Sequence, residues 1–315
     1  MRDLAVVIVS WNVRDLVLNA IRSLVDDLHH SALEAAIWLV DNASGDGTVE
    51  AVRAQFPQVR VIASAENLGF VRGNNAALRA MGFDGVAAPD ELPRAVYLLN
   101  PDTITRPGAT RILFDRLMRF SERSNERIGL VGARLSYEDG SFQHGAFRFP
   151  GLRQLWVEFF PTPGRWIEGG FNGRYPAPLT QGSAAFPVDF VLGATMMLRR
   201  EVIQQVGLLD ETFFMYCEEI DWAWRIHKAG WRVECVPAAQ IVHLAGKSTG
   251  QARPQTTLHL WTSRLRLFEK HYPRWKQWAA RSMIRVGMAR KIRRLSDAPP
   301  ALIEAYQQVI RLARD

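Results

Sequence analysis

Leu4–Asn12 reads LAVVIVSWN, a short apolar run rich in β-branched residues that stops on Ser10, Trp11 and Asn12. A run of that length and composition predicts a buried strand over Leu4–Ser10. The pattern repeats outward. Val13–Leu28 carries Leu16, Leu18, Ile21, Leu24, Val25 and Leu28 at near-helical spacing, and Ala36–Val40 (AIWLV) is a second strand. Asp46–Phe56 is a helix ended by Pro57, Val59–Ala63 a third strand, Phe70–Met81 a helix and Ala95–Leu99 (AVYLL) a fourth strand. Strands alternating with helices predict an α/β fold with a mostly parallel central sheet flanked by helices. Ligands of such sheets bind beyond the carboxyl ends of the strands. Three polar clusters fall there: Ser10-Trp11-Asn12, Asp41-Asn42-Ala43-Ser44 and Asn100-Pro101-Asp102.

The rest of the chain is less regular. Tyr137–Pro187 is rich in Gly, Pro and aromatics, which predicts long loops with a few short strands over a substrate region. Regular structure returns with a strand over Val188–Leu198, a short helix over Arg200–Val206, a helix over Tyr216–Ala229 stopped by Gly230, and a strand over Trp231–Val236. From Leu258 onward the chain reads as helical, basic and Trp-rich, with breaks at Pro273 and Pro299-Pro300. Two units follow: a catalytic domain over 1–252 and a helical extension over 253–315.

Composition removes whole classes. At 315 residues and 48% hydrophobic the chain is neither disordered nor fibrous, and it is long enough to build its core without staples. Cys217 and Cys235 are the only cysteines, which excludes a disulfide framework and a four-cysteine zinc site. Asp3 in the opening stretch argues against a signal peptide, and the longest apolar stretch, Phe190–Leu198, is too short to span a bilayer. The expectation is a soluble, cytoplasmic protein. Its net charge of +7 is concentrated: Arg253–Arg294 holds twelve Lys and Arg against Glu269 alone, so the body is mildly acidic. Such a segment attracts phosphates, anionic lipid or any polyanion.

Each candidate motif has a structural and a chemical reading. Asp41–Thr48 is a polar turn entering a helix, suited to an N-cap or to a nucleotide; neither a GxGxxG fingerprint nor a P-loop is present. Glu66–Asn75 combines Gly69 and Gly73 with Asn67, Asn74 and Asn75 and with Arg72 at a helix start, which suits a capped loop or close backbone approach to a ligand. Asp102, presented after the fourth strand, suits a turn or a hard divalent cation; His243, after the strand-like Ala239–Val242, suits a core position or a ligand. Glu218, Glu219 and Asp221 open the Tyr216–Ala229 helix, where the dipole already favours carboxylates. The spacing puts Glu218, Asp221 and Arg225 on one ion-pair ridge and rotates Glu219 away from it. Glu219 is then the candidate general base, its pKa raised by surrounding aromatics.

The order of the motifs is more specific than any one of them. VVIVSWN, VDNASGDGT, ENLGFVRGNN, LLNPDT, LGATMMLRREV, GLLDETFFMYCEEIDWAWR and VHLAGKS together resemble the inverting, family 2 glycosyltransferases of GT-A fold over roughly residues 4–250, within them the bacterial rhamnosyltransferase-like branch. The resemblance implies a nucleotide-diphospho-sugar transferase that moves a sugar, L-rhamnose from dTDP-L-rhamnose as the first reading, onto a glycan or polyprenyl-diphosphate-linked saccharide in bacterial surface polysaccharide synthesis. It implies that Asp41 reads the base, that Asn67, Gly69, Arg72 and Asn74 line the nucleotide-sugar site with Ser10, Asn12, Asn100 and Lys247, and that Asp102 and His243 hold Mg²⁺ or Mn²⁺. Glu219 stands where the family usually has Asp, with Asp221 in reserve as base. Through 258–294, whose Trp261, Trp275 and Trp278 interleave with basic residues, the enzyme is expected at the inner face of the cytoplasmic membrane or packed on its own catalytic domain. No nucleic-acid partner is expected. The rivals are a transferase using a UDP- or GDP-sugar, a sugar nucleotidylyltransferase, and a non-catalytic scaffold or polyanion-binding protein.

Overall fold

The computed structural model describes residues 2–119, 127–244, 253–294 and 299–314. Its first unit alternates as the apolar runs dictate: β1 (Leu4–Ser10), α1 (Arg14–His29), β2 (Ala35–Asp41), α2 (Thr48–Gln55), β3 (Arg60–Ala63), α3 (Gly69–Ala80) and β4 (Ala95–Leu99). β1 and β4 are buried at every position and β2 at all but its first, because helices cover both faces. The strands run parallel in the order β3-β2-β1-β4. Gly73 lets α3 lie close to the sheet, since a Cβ there would sit 2.8 Å from Val9.

Beyond β4 the sheet becomes mixed. β5 (Thr103–Thr105), α4 (Ala109–Met118) and β6 (Ile128–Ser136) are followed by short strands β7 (Phe142–Gln143) and β8 (Ala146–Phe147). The stretch expected as loops holds helices α5 (Leu152–Phe159), α6 (Gly164–Trp166) and α7 (Ala177–Gln181), with a π turn over Ile167–Phe171. Leu155 and Phe159 of α5 are buried in a core shared with the C-terminal helices, a partner the local sequence does not reveal. The expected Val188–Leu198 strand is three pieces: β9 (Phe186–Val188), β10 (Phe190–Val191) and β11 (Thr195–Arg199). Asp189 accepts a hydrogen bond from the Phe149 amide (2.8 Å) between the first two, and the Leu192 amide turns to the Gly145 carbonyl (2.9 Å) before the third.

α8 (Arg200–Val206), α9 (Glu218–Lys228) and β12 (Arg232–His243) complete the sheet, in the order β3-β2-β1-β4-β11-β6-β12-β5. β11 runs antiparallel to β4 and β6, whereas β12 runs parallel to β6. The last three helices, α10 (Arg253–His271), α11 (Arg274–Arg294) and α12 (Pro300–Leu312), bury Trp261, Leu265, Phe268, Ile284, Met288 and Val309 in the core they share with α5.

Candidate active site

The carboxyl ends of β1, β2 and β4 open on a cavity of about 570 Å³. Ser10 and Trp11, Asn42, Asn67, Gly69 and Phe70, Asn100 and Asp102 line its sheet side. Glu218 and Glu219 at the start of α9, His243 at the end of β12 and the Leu192–Ala194 turn close it. Gln255, Thr256 and His259 of α10 form a further wall, so the extension shares the cavity. Sequence reading gave those three residues no role, and nothing local marks them: they reach the site only because α10 packs against Phe214, whose ring stacks on His259 at 4.8 Å.

The predicted residues divide into those that face the cavity and those that support it. Asp41 is fully buried, accepting from Ser10 Oγ (3.1 Å) and the Ser44 amide (2.8 Å). Asn12, at φ 51°, clasps two loops: its amide donates to Ser44 Oγ and its Oδ1 accepts from the Gly45 amide, both at 2.8 Å. Asn74 donates to the Phe70 carbonyl (2.8 Å), and Arg72 points to solvent beside Glu66 (3.5 Å). These four therefore lie behind or beside the cavity rather than on its wall. Asn67 Oδ1 accepts from the Gly69 amide (2.9 Å), fixing the turn in which Gly69 takes φ 73° and lets Phe214 approach; a Cβ there would be 2.7 Å from that ring. Asn42, named in the sequence only as part of the Asp41–Ser44 cluster, donates to the Gly69 carbonyl (3.1 Å) and leaves its Oδ1 shielded without a partner. Lys247 lies outside the described residues.

Asp102 and His243 meet at the floor of the cavity. Both are buried, and His243 Nε2 lies 3.3 Å from Asp102 Oδ1. On the other side of the ring Nδ1 faces Gln143 Oε1 at 3.1 Å, and Asn100 Nδ2 lies 3.5 Å from Nε2. An imidazole that donates from Nδ1 and accepts at Nε2 satisfies both neighbours, and it turns a lone pair toward a carboxylate oxygen. Two acceptors at that distance suit a cation between them. They are an incomplete ligand set, for among the described residues no group of three His, Cys, Asp or Glu can hold a metal. The pair fits a cation whose remaining positions are filled by substrate oxygens.

The start of α9 corrects the predicted ridge. Tyr216 and Cys217 both take positive φ (66° and 65°), a costly conformation for non-glycine residues, and this turn aims Glu218 as well as Glu219 into the cavity. Asp221 and Arg225 do pair, at 2.9 Å, but Glu218, one turn earlier, joins no ion pair among the described residues and lines the cavity instead. Glu218 Oε2 and Glu219 Oε2 are both shielded and have no hydrogen-bond partner. Burial raises the Glu219 pKa to about 7, partly opposed by backbone hydrogen bonds; burial and the neighbouring Glu219 charge raise Glu218 well above the carboxylate range. Both carboxyls are thus held above the ordinary carboxylate range, and the crowding of the pair opposes two negative charges in the cavity.

Asp221 is removed from the base position. It is wholly buried on the back of α9 and meets Arg225 (2.9 Å), Lys270 (2.7 Å) and His271 (2.7 Å). Despite its burial, hydrogen bonds from His271 and Lys270 and the Arg225 charge lower its pKa to about 2. A carboxylate held that far down is a poor proton acceptor. α10 also fixes the turn before α9, through Ser263 Oγ donating to the Met215 carbonyl (2.8 Å).

Comparison with known proteins adds the family. The sequence pattern described as Glycosyltransferase like family 2 matches residues 2–257. The chain is 29% identical over 254 residues, 79% of its own length and 80% of the other's, to an N-acetylglucosaminyl-diphospho-decaprenol L-rhamnosyltransferase of Mycobacterium tuberculosis (strain ATCC 25618 / H37Rv). It is 40% identical over 179 residues, 56% of its length and 61% of the other's, to the rhamnosyltransferase WbbL of Escherichia coli (strain K12). In fold it is similar to GalNAc-T7 solved with UDP, GalNAc and Mn²⁺ (TM-score 0.59, 15% identity), covering 99% of this chain and 56% of that one.

Proposed function

The chain belongs to the glycosyltransferase-like family 2, and on that premise we propose that it moves a sugar from a nucleoside diphosphate to an acceptor hydroxyl with inversion, Glu219 acting as general base. One observation carries the reading: a shielded carboxylate oxygen without a partner, on a group that titrates at about 7, at the mouth of helix α9 in the cavity. A carboxylate paired by cations, as Asp221 is, is a weak base; one denied donors by its surroundings takes a hydroxyl proton readily near neutral pH.

The donor lies against the sheet edge, bounded by Ser10, Asn42, Asn67, Gly69 and Asn100, with Asp41, Asn12 and Asn74 holding those loops in place. The acceptor hydroxyl sits by Glu219, which takes its proton as the oxygen attacks the anomeric carbon; the C1–oxygen bond to the diphosphate breaks with inversion in one in-line step. Asp102 and His243 would hold a divalent cation, Mg²⁺ or Mn²⁺, whose charge would offset that of the leaving diphosphate. Burial and the neighbouring Glu219 charge push the Glu218 pKa upward, which disfavours a second negative charge beside the base.

The rhamnosyltransferase names of two relatives support rhamnose as the sugar moved; we propose dTDP-L-rhamnose as its donor, with a UDP- or GDP-sugar as the alternative. The mycobacterial relative's name supports a polyprenyl-diphosphate-linked saccharide as acceptor and, with it, work at the inner face of the cytoplasmic membrane. No helix among the described residues is long and apolar enough to cross a membrane; the basic, Trp-bearing 258–294 segment is the proposed lipid contact. The catalytic unit over 1–252 and the extension over 253–315 act as one body, because α10 walls the cavity and anchors Asp221.

The test is donor-induced stabilisation. Thermal shifts are read with dTDP-rhamnose, UDP-sugars and GDP-sugars, with and without Mn²⁺ or Mg²⁺, on the wild type and Asp102→Ala. The proposal expects metal-dependent stabilisation by dTDP-rhamnose that the variant loses. Stabilisation by another nucleotide sugar moves the donor, and none at all favours a non-catalytic scaffold.

A further inference from the structure

α11 is apolar on two opposite sides, and the fold uses one of them. Ala280, Ile284, Gly287 and Met288 are buried against α5 and α12, with Gly287 so close to Phe159 that a Cβ would sit 2.1 Å from its ring. At 100° per residue, Trp275, Trp278, Val286 and Arg293 fall within a sector of about 80° on the opposite side. Trp275 is 62% exposed, Trp278 71% and Val286 52%. A helix that packs by one stripe ordinarily carries polar residues on the other, and large apolar side chains gathered on an exposed face mark an interaction site.

The charges differ as well. Toward the bundle several cations have carboxylate partners: Arg281 with Glu269, Lys291 and Arg264 with Glu158, Lys270 with Asp210 and Asp221. On the tryptophan side Arg274, Arg285 and Arg293 pair with no carboxylate among the described residues. The surface continues onto α5, where Arg290 lies over Phe160 (5.5 Å) and Phe160 packs on Trp156 (4.6 Å), itself 45% exposed.

We propose that this outer face of α11 is the surface by which the chain docks on an anionic lipid bilayer, with Trp275 and Trp278 at the depth of the headgroups and Arg274, Arg285 and Arg293 against lipid phosphates. Indole rings favour that depth, where one edge is wet and the rest apolar, and unpaired arginines beside them complement a plane of negative charge. The inference deepens, and rests on, the reading that the acceptor is lipid-linked. It also narrows the basic segment to one face, because Trp261, Leu265 and Phe268 are spent in the bundle core. α10 joins the two functions: about 18 Å of helix separates His259 at the cavity from His271 beside the turn into α11.

The experiment is co-sedimentation of the full chain with phosphatidylcholine vesicles, with and without phosphatidylglycerol, for the wild type, Trp275→Ala/Trp278→Ala and Arg285→Gln/Arg293→Gln. Wild type is expected to pellet with the anionic vesicles and to be released by salt. The tryptophan pair should lose about tenfold in partitioning, and the arginine pair should lose its preference for the anionic lipid. Both variants should keep the melting transition and the donor-induced shift of the wild type, which separates lost docking from lost folding. Wild-type binding that neither variant alters overturns the assigned face while leaving the lipid-linked reading intact. No wild-type binding to either vesicle overturns the docking proposal, and donor-induced shifts then report on the transferase reading alone. A monomer–dimer equilibrium broken by the tryptophan pair, without lipid binding, overturns it in favour of a second copy of this chain.

Discussion

The cavity side and the back of α9 treat the same chemical group in opposite ways. Glu219 faces the cavity with one oxygen shielded and without a partner, and its pKa rises to about 7. Asp221, two residues on, meets Arg225, Lys270 and His271, and its pKa falls to about 2. Asp221 is the more deeply buried of the two and yet keeps the lower pKa, so desolvation does not separate them; the supply of donors does. Two of the three side chains that bond Asp221 come from α10, which therefore clamps the back of the helix while its other end walls the cavity. A rigid, charged back and a donor-poor front are what a positioned base requires.

The contrast is broken most severely from the front. Glu219→Gln should lower turnover by about a thousandfold with donor-induced thermal stabilisation unchanged, measured by initial rates and thermal shift. From the back, Asp221→Asn leaves Lys270 and Arg225 short of their buried partner and should cost about 3 kcal/mol in denaturant unfolding. The pH dependence of stability sharpens the same comparison. The lowered Asp221 pKa stabilises the fold above the unfolded value near 4, and about 2 kcal/mol is lost as pH falls through 2. The raised Glu219 pKa acts in reverse: its contribution is complete below about 4.5 and lost as pH rises through 7. Glu219→Gln should therefore melt higher than wild type at about pH 8 and level with it at about pH 4. The smallest effect belongs to the shared wall: His259→Ala removes the stack on Phe214 and should raise the acceptor KM by about three- to tenfold, read from saturation kinetics.

What the sequence revealed follows from how local each signal is. Leu4–Ser10, Ala95–Leu99 and Arg200–Val206 were readable to the residue, since burial on both faces or a compact apolar pattern writes itself into neighbouring positions. Asp102 and His243 were also legible, as polar residues directly after strands, and the fold brings them to 3.3 Å. The apolar run Val188–Leu198 concealed two breaks, because the Asp189 carboxylate and the Leu192 amide bond to distant backbone that periodicity does not contain. α5 was hidden for a related reason: its buried Leu155 and Phe159 answer to helices more than a hundred residues away. Glu218 was misplaced because helical spacing tells which residues lie near one another on α9 but not which of them meets the cavity; the left-handed turn at Tyr216 and Cys217 sets that. Asp221 looked available because Lys270 and His271 lie some fifty positions beyond it.

The central claim is that Glu219 is the proton acceptor, and the pH dependence of kcat/KM tests it most directly. The account predicts a rate that rises through an acid limb near 7 with unit slope, the limb belonging to the free enzyme's base. In Glu219→Gln the residual rate should lose that limb. A wild-type profile flat from about pH 5.5 to 8.5, or a limb that persists in Glu219→Gln, would contradict it.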